Sequence, residues 1–183
     1  MRHAFQVQIV AVLWLATTCV AAQNPAQDYQ IKAVFLFNFT QFVEWPARAP
    51  ADSRRPIVIG ILGDDPFGRY LDDTVRGEKV DNRSLTVRRY HRAEEVEGCQ
   101  VLFISRSEAA RMEQILARMN TLGVLTVSDV DDFAQRGGMI RFVTENNRVR
   151  LQINTVAAKA AGLIISSKLL RVADVLSPNG AVQ

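Results

Sequence analysis

Three short, unbroken apolar runs constrain this chain more than any other feature. They lie at residues 57–62 (IVIGIL), 100–105 (QVLFIS) and 123–128 (GVLTVS). Each has the length of a strand, and none alternates apolar with polar. Such runs suit strands buried on both faces, as in a parallel sheet. Parallel neighbours need crossover connections, usually helical. Residues 66–75 and 107–121 supply them, the second with Met112, Ile115, Leu116 and Met119 on one face. Residues 84–90 (SLTVRRY) read as a further strand. The pattern predicts an α/β sandwich with a mainly parallel central sheet.

The carboxyl-terminal third predicts a β-hairpin. MIRFVT (139–144) and RVRLQIN (148–154) flank the turn Glu145-Asn146-Asn147. Ile140 and Phe142 alternate onto one face, as do Val149, Leu151 and Ile153, while Arg141, Arg148 and Arg150 take the other. Thr155 is placed to cap a long last helix, roughly 155–175. Its small residues (Ala157, Ala158, Ala160, Ala161, Gly162) permit close packing, and Lys159, Lys168, Arg171 and Asp174 exclude it as a membrane span.

At the other end, residues 29–45 (YQIKAVFLFNFTQFVEW) form the most aromatic stretch, with Ile31, Phe35, Phe39, Phe42 and Val43 at helical spacing and Pro46 as a stop. This helix either belongs to the core or offers an aromatic docking face. Residues 1–22 read as a secretory signal peptide: Arg2, an uncharged run from Ile9 to Val20, then the small residues Ala21 and Ala22. The expected organisation is a signal peptide (1–22), one α/β domain (23–176) and a disordered tail (177–183).

Charge and cysteine content narrow the function. The formal net charge of +3 falls to +2 once Arg2 is removed, so the chain lacks the strongly basic balance of a nucleic-acid binder. With 48% hydrophobic and 22% charged residues it is neither disordered nor fibrous. Cleavage also removes Cys19. Cys99 is then the single cysteine, which excludes an intramolecular disulfide and leaves packing as a small apolar residue or an intermolecular bond. With His91 as the mature chain's single histidine, a zinc site is not expected. No Ser-His-acid arrangement stands out, and no cofactor is expected.

The segment GDDPFG (63–68) sits where a buried strand gives way to a helix, the usual ligand edge of an open α/β sheet. It lacks the glycine spacing and Lys-Ser/Thr pair of a phosphate loop. Asp64 and Asp65 can bind a ligand or cap the following helix. With Phe67 they mark a candidate ligand site, joined by Ser128 and Asp129 at the end of another predicted parallel strand. Phe35, Phe39, Phe42 and Trp45 on the aromatic helix, with Arg141, Arg148 and Arg150, mark a candidate partner or dimer surface.

Taken in order, YQIKAVFLFNFTQFVEWP (29–46), IVIGILGDDPFG (57–68), CQVLFIS (99–105), VLTVSD (124–129), GGMIRFV (137–143) and RVRLQINTVAAKAAGLIISSKLLRVA (148–173) resemble the YfiR family of periplasmic proteins. The resemblance implies an exported, non-catalytic α/β regulator that can dimerise. It implies repression of a membrane diguanylate cyclase through the cyclase's periplasmic sensor domain, lowering cyclic-di-GMP and biofilm formation. An outer-membrane lipoprotein would be a second partner, relieving that repression. Disulfide-based control, known in the family, does not carry over to a mature chain with Cys99 alone. The competing expectation is a periplasmic small-molecule-binding protein that serves another sensor or a transporter, through the Asp64–Asp65 edge.

Overall fold

The computed structural model describes residues 25–46, 55–146 and 148–176. The signal peptide and the tail expected from the sequence lie outside them. The chain opens with helix α1 (Pro25–Phe42), followed by the short strand β1 (Val43–Glu44). Next come β2 (Ile57–Leu62), α2 (Arg69–Val75), β3 (Lys79–Val80) and β4 (Arg83–Tyr90). After these are β5 (Val101–Ile104), α3 (Met112–Leu122), β6 (Leu125–Ser128), β7 (Ile140–Glu145) and β8 (Arg148–Ile153). The end of the domain holds α4 (Thr155–Ala160), β9 (Ile164–Ile165), α5 (Ser167–Leu170) and β10 (Asp174–Val175).

Eight strands form one sheet in the order β10-β8-β7-β6-β5-β2-β4-β3. The five central neighbours, β4, β2, β5, β6 and β7, all run parallel. The β7–β8 hairpin is antiparallel, with Phe142 opposite Leu151 and Ile140 opposite Ile153. This is the mixed α/β sandwich that the apolar runs predict. All six residues of β2 and all four of β5 and of β6 are buried, the mark of strands covered on both faces.

Alternation along β2 divides the interior in two. Ile59 and Ile61 enter one cluster with Leu36 and Phe39 of α1 and Leu71 of α2. Val58 and Leu62 enter the other with Ile115, Leu116 and Met119 of α3. Gly60 lies on the second face, where a Cβ would stand 2.7 Å from the Tyr90 ring, 2.8 Å from Leu102 and 2.9 Å from Cys99.

The long carboxyl-terminal helix expected from the sequence does not form. Asn154, rather than Thr155, caps α4, its side chain accepting the Ala157 amide proton at 2.9 Å. Helix α4 stops at Ala160 because Gly162 adopts a left-handed φ of 77°. The β-branched pair Ile164-Ile165 then turns back to pair antiparallel with Val43 and Glu44, and Ser166 caps a second short helix. The carbonyl of Phe42 accepts the Ser166 amide proton at 2.8 Å, so the segment ties down the end of α1 instead of extending α4.

Helix α1 is also rotated from its sequence expectation. Lys32, Ala33, Leu36, Phe39, Thr40 and Val43 are buried, whereas Ile31 is exposed. Phe39 is fully buried and stacks on Phe35 and Phe142 at 6.2 and 6.0 Å. Phe35, Phe42 and Trp45 are half-buried against the same cluster. Phe39 therefore cannot serve as a surface contact. Its ring fills the space between α1 and the hairpin.

Candidate functional site

The sheet has one reversal of strand order. From β2 the chain crosses to β4 on one side, then returns to β5 on the other. The loops leaving β2 and β5 part company there, at the carboxyl ends of the strands. In open α/β sheets, ligands bind at such a point. The loop after β2 carries Asp64, Asp65 and Phe67; the loop after β5 carries Arg106 and Ser107. Beside them, β6 ends in Ser128 and Asp129.

The five sequence-marked residues take different positions. Asp64 is exposed, and its amide donates to the Ser107 hydroxyl at 3.0 Å, joining the two loops. Asp65 accepts from the Phe67 amide at 2.7 Å and the Gly68 amide at 3.2 Å, a turn that leads into α2. Its other oxygen meets Arg89 at 2.8 Å, and Arg89 also holds Asp72 at 2.5 Å. That bond with Arg89 comes first among the causes holding the Asp72 carboxyl below its ordinary range. Phe67 is buried, edge-on to Phe103 at 4.8 Å and to Tyr29 at 5.3 Å. Ser128 is fully buried and bonded internally: its hydroxyl donates to the Ile104 carbonyl at 2.7 Å and accepts from the Val130 amide at 3.1 Å.

Asp129 is the centre of the arrangement. Its side chain and that of Lys32 are each only 4% exposed, and Lys32 donates to Asp129 Oδ2 at 2.9 Å. The Tyr29 hydroxyl donates to the same oxygen at 2.8 Å. Oδ1 faces Arg106 Nε at 3.2 Å, while Arg106 Nη2 donates to the Asp129 carbonyl at 2.6 Å. Lys32 also pairs with Asp28 at 2.8 Å and lies 4.4 Å over the Tyr29 ring. Asp28 in turn accepts from the Thr144 hydroxyl of β7 at 3.1 Å.

Burial alone would raise the Asp129 carboxyl. The Lys32 bond and charge, with Tyr29 and Arg106, outweigh it and hold the carboxyl below its ordinary value. Burial first, then the Asp129 charge, pushes the Tyr29 phenol well above its ordinary value. The phenol therefore keeps its proton as a donor. The network fastens α1 across the carboxyl edge of the sheet, with one carboxylate held by two cations and a phenol.

Sequence reasoning found Asp129 through its place at a strand end. It missed Tyr29, Lys32 and Arg106. The signal available was Lys32 itself, which falls on the buried face of α1 in step with Leu36 and Phe39; a cation there requires an anion. Of the arginine stripe, Arg141 is half-buried and pairs with Asp131. Arg148 is exposed, and Arg150 is exposed but reaches Asp174 at 2.9 Å. Among the described residues, no three of His, Cys, Asp and Glu are placed to hold a metal ion.

A family model, DUF4154, described as YfiR/HmsC-like, matches residues 29–174. No curated protein matches the chain. A crystal structure of a conserved domain protein from Vibrio cholerae O1 biovar eltor str. N16961 is similar to it, with a TM-score of 0.49 and 13% identity, covering 64% of this chain and 54% of that one. The chain thus spans about half the length of that protein.

Proposed function

The chain belongs to the YfiR/HmsC-like family, and from that premise we propose that it is an exported, non-catalytic regulator of a membrane diguanylate cyclase. It acts on the periplasmic sensor domain of the cyclase and lowers cyclic-di-GMP, and with it biofilm formation. The observation that carries this reading is the extent of the family match. It runs from Tyr29 in α1 to Asp174, the first residue of β10, and so takes in the sheet but for its last residue, together with Tyr29, Lys32, Arg106 and Asp129. The family is periplasmic and generally regulatory rather than catalytic, which agrees with the leader expected from residues 1–22.

Repression follows from differential affinity. A domain that binds the inactive state of a sensor more tightly than the active state shifts the population toward the inactive one; equal affinity for both would shift nothing. A rigid domain suits that task, because little ordering cost is added on binding. The test is cyclic-di-GMP in cells lacking the gene. The expected result is a rise, reversed by re-expressing the protein with residues 1–22 and not by a form without them. Unchanged cyclic-di-GMP in cells that normally make the protein would overturn the reading.

A further inference from the structure

We infer that the outer edge of β4 is a docking site for an extended, acidic segment of a partner protein, which would add to the sheet as a further strand. This names a contact surface for the regulatory role proposed above, and so rests on that reading for its biological meaning. The geometry begins with Tyr90, whose carbonyl accepts from the Gly63 amide at 3.1 Å. Tyr90 thus turns its backbone groups toward β2. By the alternation of a strand, Arg88 and Thr86 do the same, while Leu85, Val87 and Arg89 turn their N–H and C=O groups outward.

Strand β3 covers this outer side as far as Leu85, whose N–H faces Glu78 in the register that pairs Lys79 with Ser84. Among the described residues, no strand pairs with the outer side of Thr86–Tyr90. An unpaired edge of that length is a template for another chain. Charge selects the occupant. Residues 83–92 (RSLTVRRYHR) contain four arginines and no acidic residue. Arg89 is matched by Asp65 and Asp72, and Arg92 by Glu95. Arg83 donates to the carbonyls of Arg55 and Pro56 and keeps its charge uncompensated by them. Arg88 is exposed and makes no ion pair with a described residue.

A second copy is disfavoured by the same charges. Antiparallel self-pairing centred on Val87 would bring the two Arg88 side chains onto one face as diagonal neighbours, and like charges there repel. A strand with its acidic side chains on the Arg88 face meets that charge favourably, lays its apolar side chains beside Leu85 and Val87 on the other face, and takes up the outward amides.

The register supplies a specific test. Val87 turns its N–H outward, so Val87→Pro removes a docking group and leaves the β2–β4 ladder intact. The probe is a capped peptide of alternating valine and glutamate, fluorescently labelled and titrated with the purified protein. The peptide is expected to bind about tenfold or more weakly to Val87→Pro than to Val87→Ala, which loses similar contacts with the core but keeps the outward N–H, both variants keeping the wild-type circular dichroism. Arg88→Glu should lose the glutamate peptide and gain its lysine counterpart. No binding by the wild type, or equal binding by Val87→Pro and Val87→Ala, would overturn the inference. So would self-association, seen by sedimentation without peptide, that Val87→Pro abolishes; that result would assign the edge to a second copy. In cells, Val87→Pro should lose repression that the wild type retains. Failure of the wild type to repress would count against the cyclase reading and leave the peptide result standing.

Discussion

At the scale of single residues, the buried Lys32–Asp129 pair is the most consequential feature. Burying two charges is costly, and the pair is tolerated because the carboxylate is also bonded by Tyr29 and faced by Arg106. Removing one partner leaves the other charge uncompensated. Asp129→Asn is therefore expected to cost about 3 kcal/mol in denaturant unfolding. The pH dependence has a definite sign. The folded-state pKa of Asp129 is lowered, so its contribution is present above the unfolded carboxylate value, about 3.9, and is lost as pH falls through the folded value. The gap between wild type and Asp129→Asn should narrow below about pH 4. A gap independent of pH would show that the carboxylate contributes no charge-dependent stability.

Cys99 illustrates the opposite case, in which the plain reading holds. Its side chain is 1% exposed, and Sγ donates to the Val101 carbonyl at 3.0 Å. Burial keeps a thiol from reagents regardless of its chemistry. A maleimide should label Cys99 only in denaturant. Prompt labelling of the native protein would contradict the packing described for this face.

At the scale of elements, strands were legible and the end of the chain was not. A strand buried on both faces writes itself as a continuous apolar run, and β2, β5 and β6 sit within a residue or two of where those runs predict them. The same holds for the hairpin, whose alternation fixes both register and face. The segment 155–175 misleads because alanine-rich sequence favours helix locally, while its actual course is set by a distant pairing with Val43 and Glu44. Helix α1 was legible as a helix but not in its ends or its rotation: it runs Pro25–Phe42 rather than over 29–45, Val43 and Glu44 leave it to form a strand, and its aromatic residues spread around most of the helix. The contacts that fix its orientation join residues 97 and 100 positions apart, Lys32 and Tyr29 with Asp129. No local pattern records such a pairing. Only the conflict of a lysine on an apolar face hints at it.

The close approach at Gly60 gives a prediction for this scale. A methyl group there would press on Tyr90, Leu102 and Cys99 at once, all within 3 Å. Gly60→Ala should destabilise by about 1–3 kcal/mol through overpacking between β2 and the α3 layer. A neutral effect would mean that these side chains move aside freely.

At the scale of the whole molecule, a doubly wound sheet normally leaves an open crevice where strand order reverses. Here that edge is closed by the protein's own groups: Ser107 bridges the loops, Phe67 fills the space beneath, and Tyr29 and Lys32 cross to Asp129. These contacts make the edge a structural joint between α1 and the sheet. That arrangement suits a domain whose work is done by its outer surface, and it accords with membership of a regulatory family. The most direct measurement adds the purified mature protein to spheroplasts of a strain lacking the gene and follows cyclic-di-GMP inside them. The proposed reading predicts a dose-dependent fall, because on that reading the protein would reach a cyclase's sensor domain from the outer side of the inner membrane. Cyclic-di-GMP that stays constant across the whole titration would contradict it.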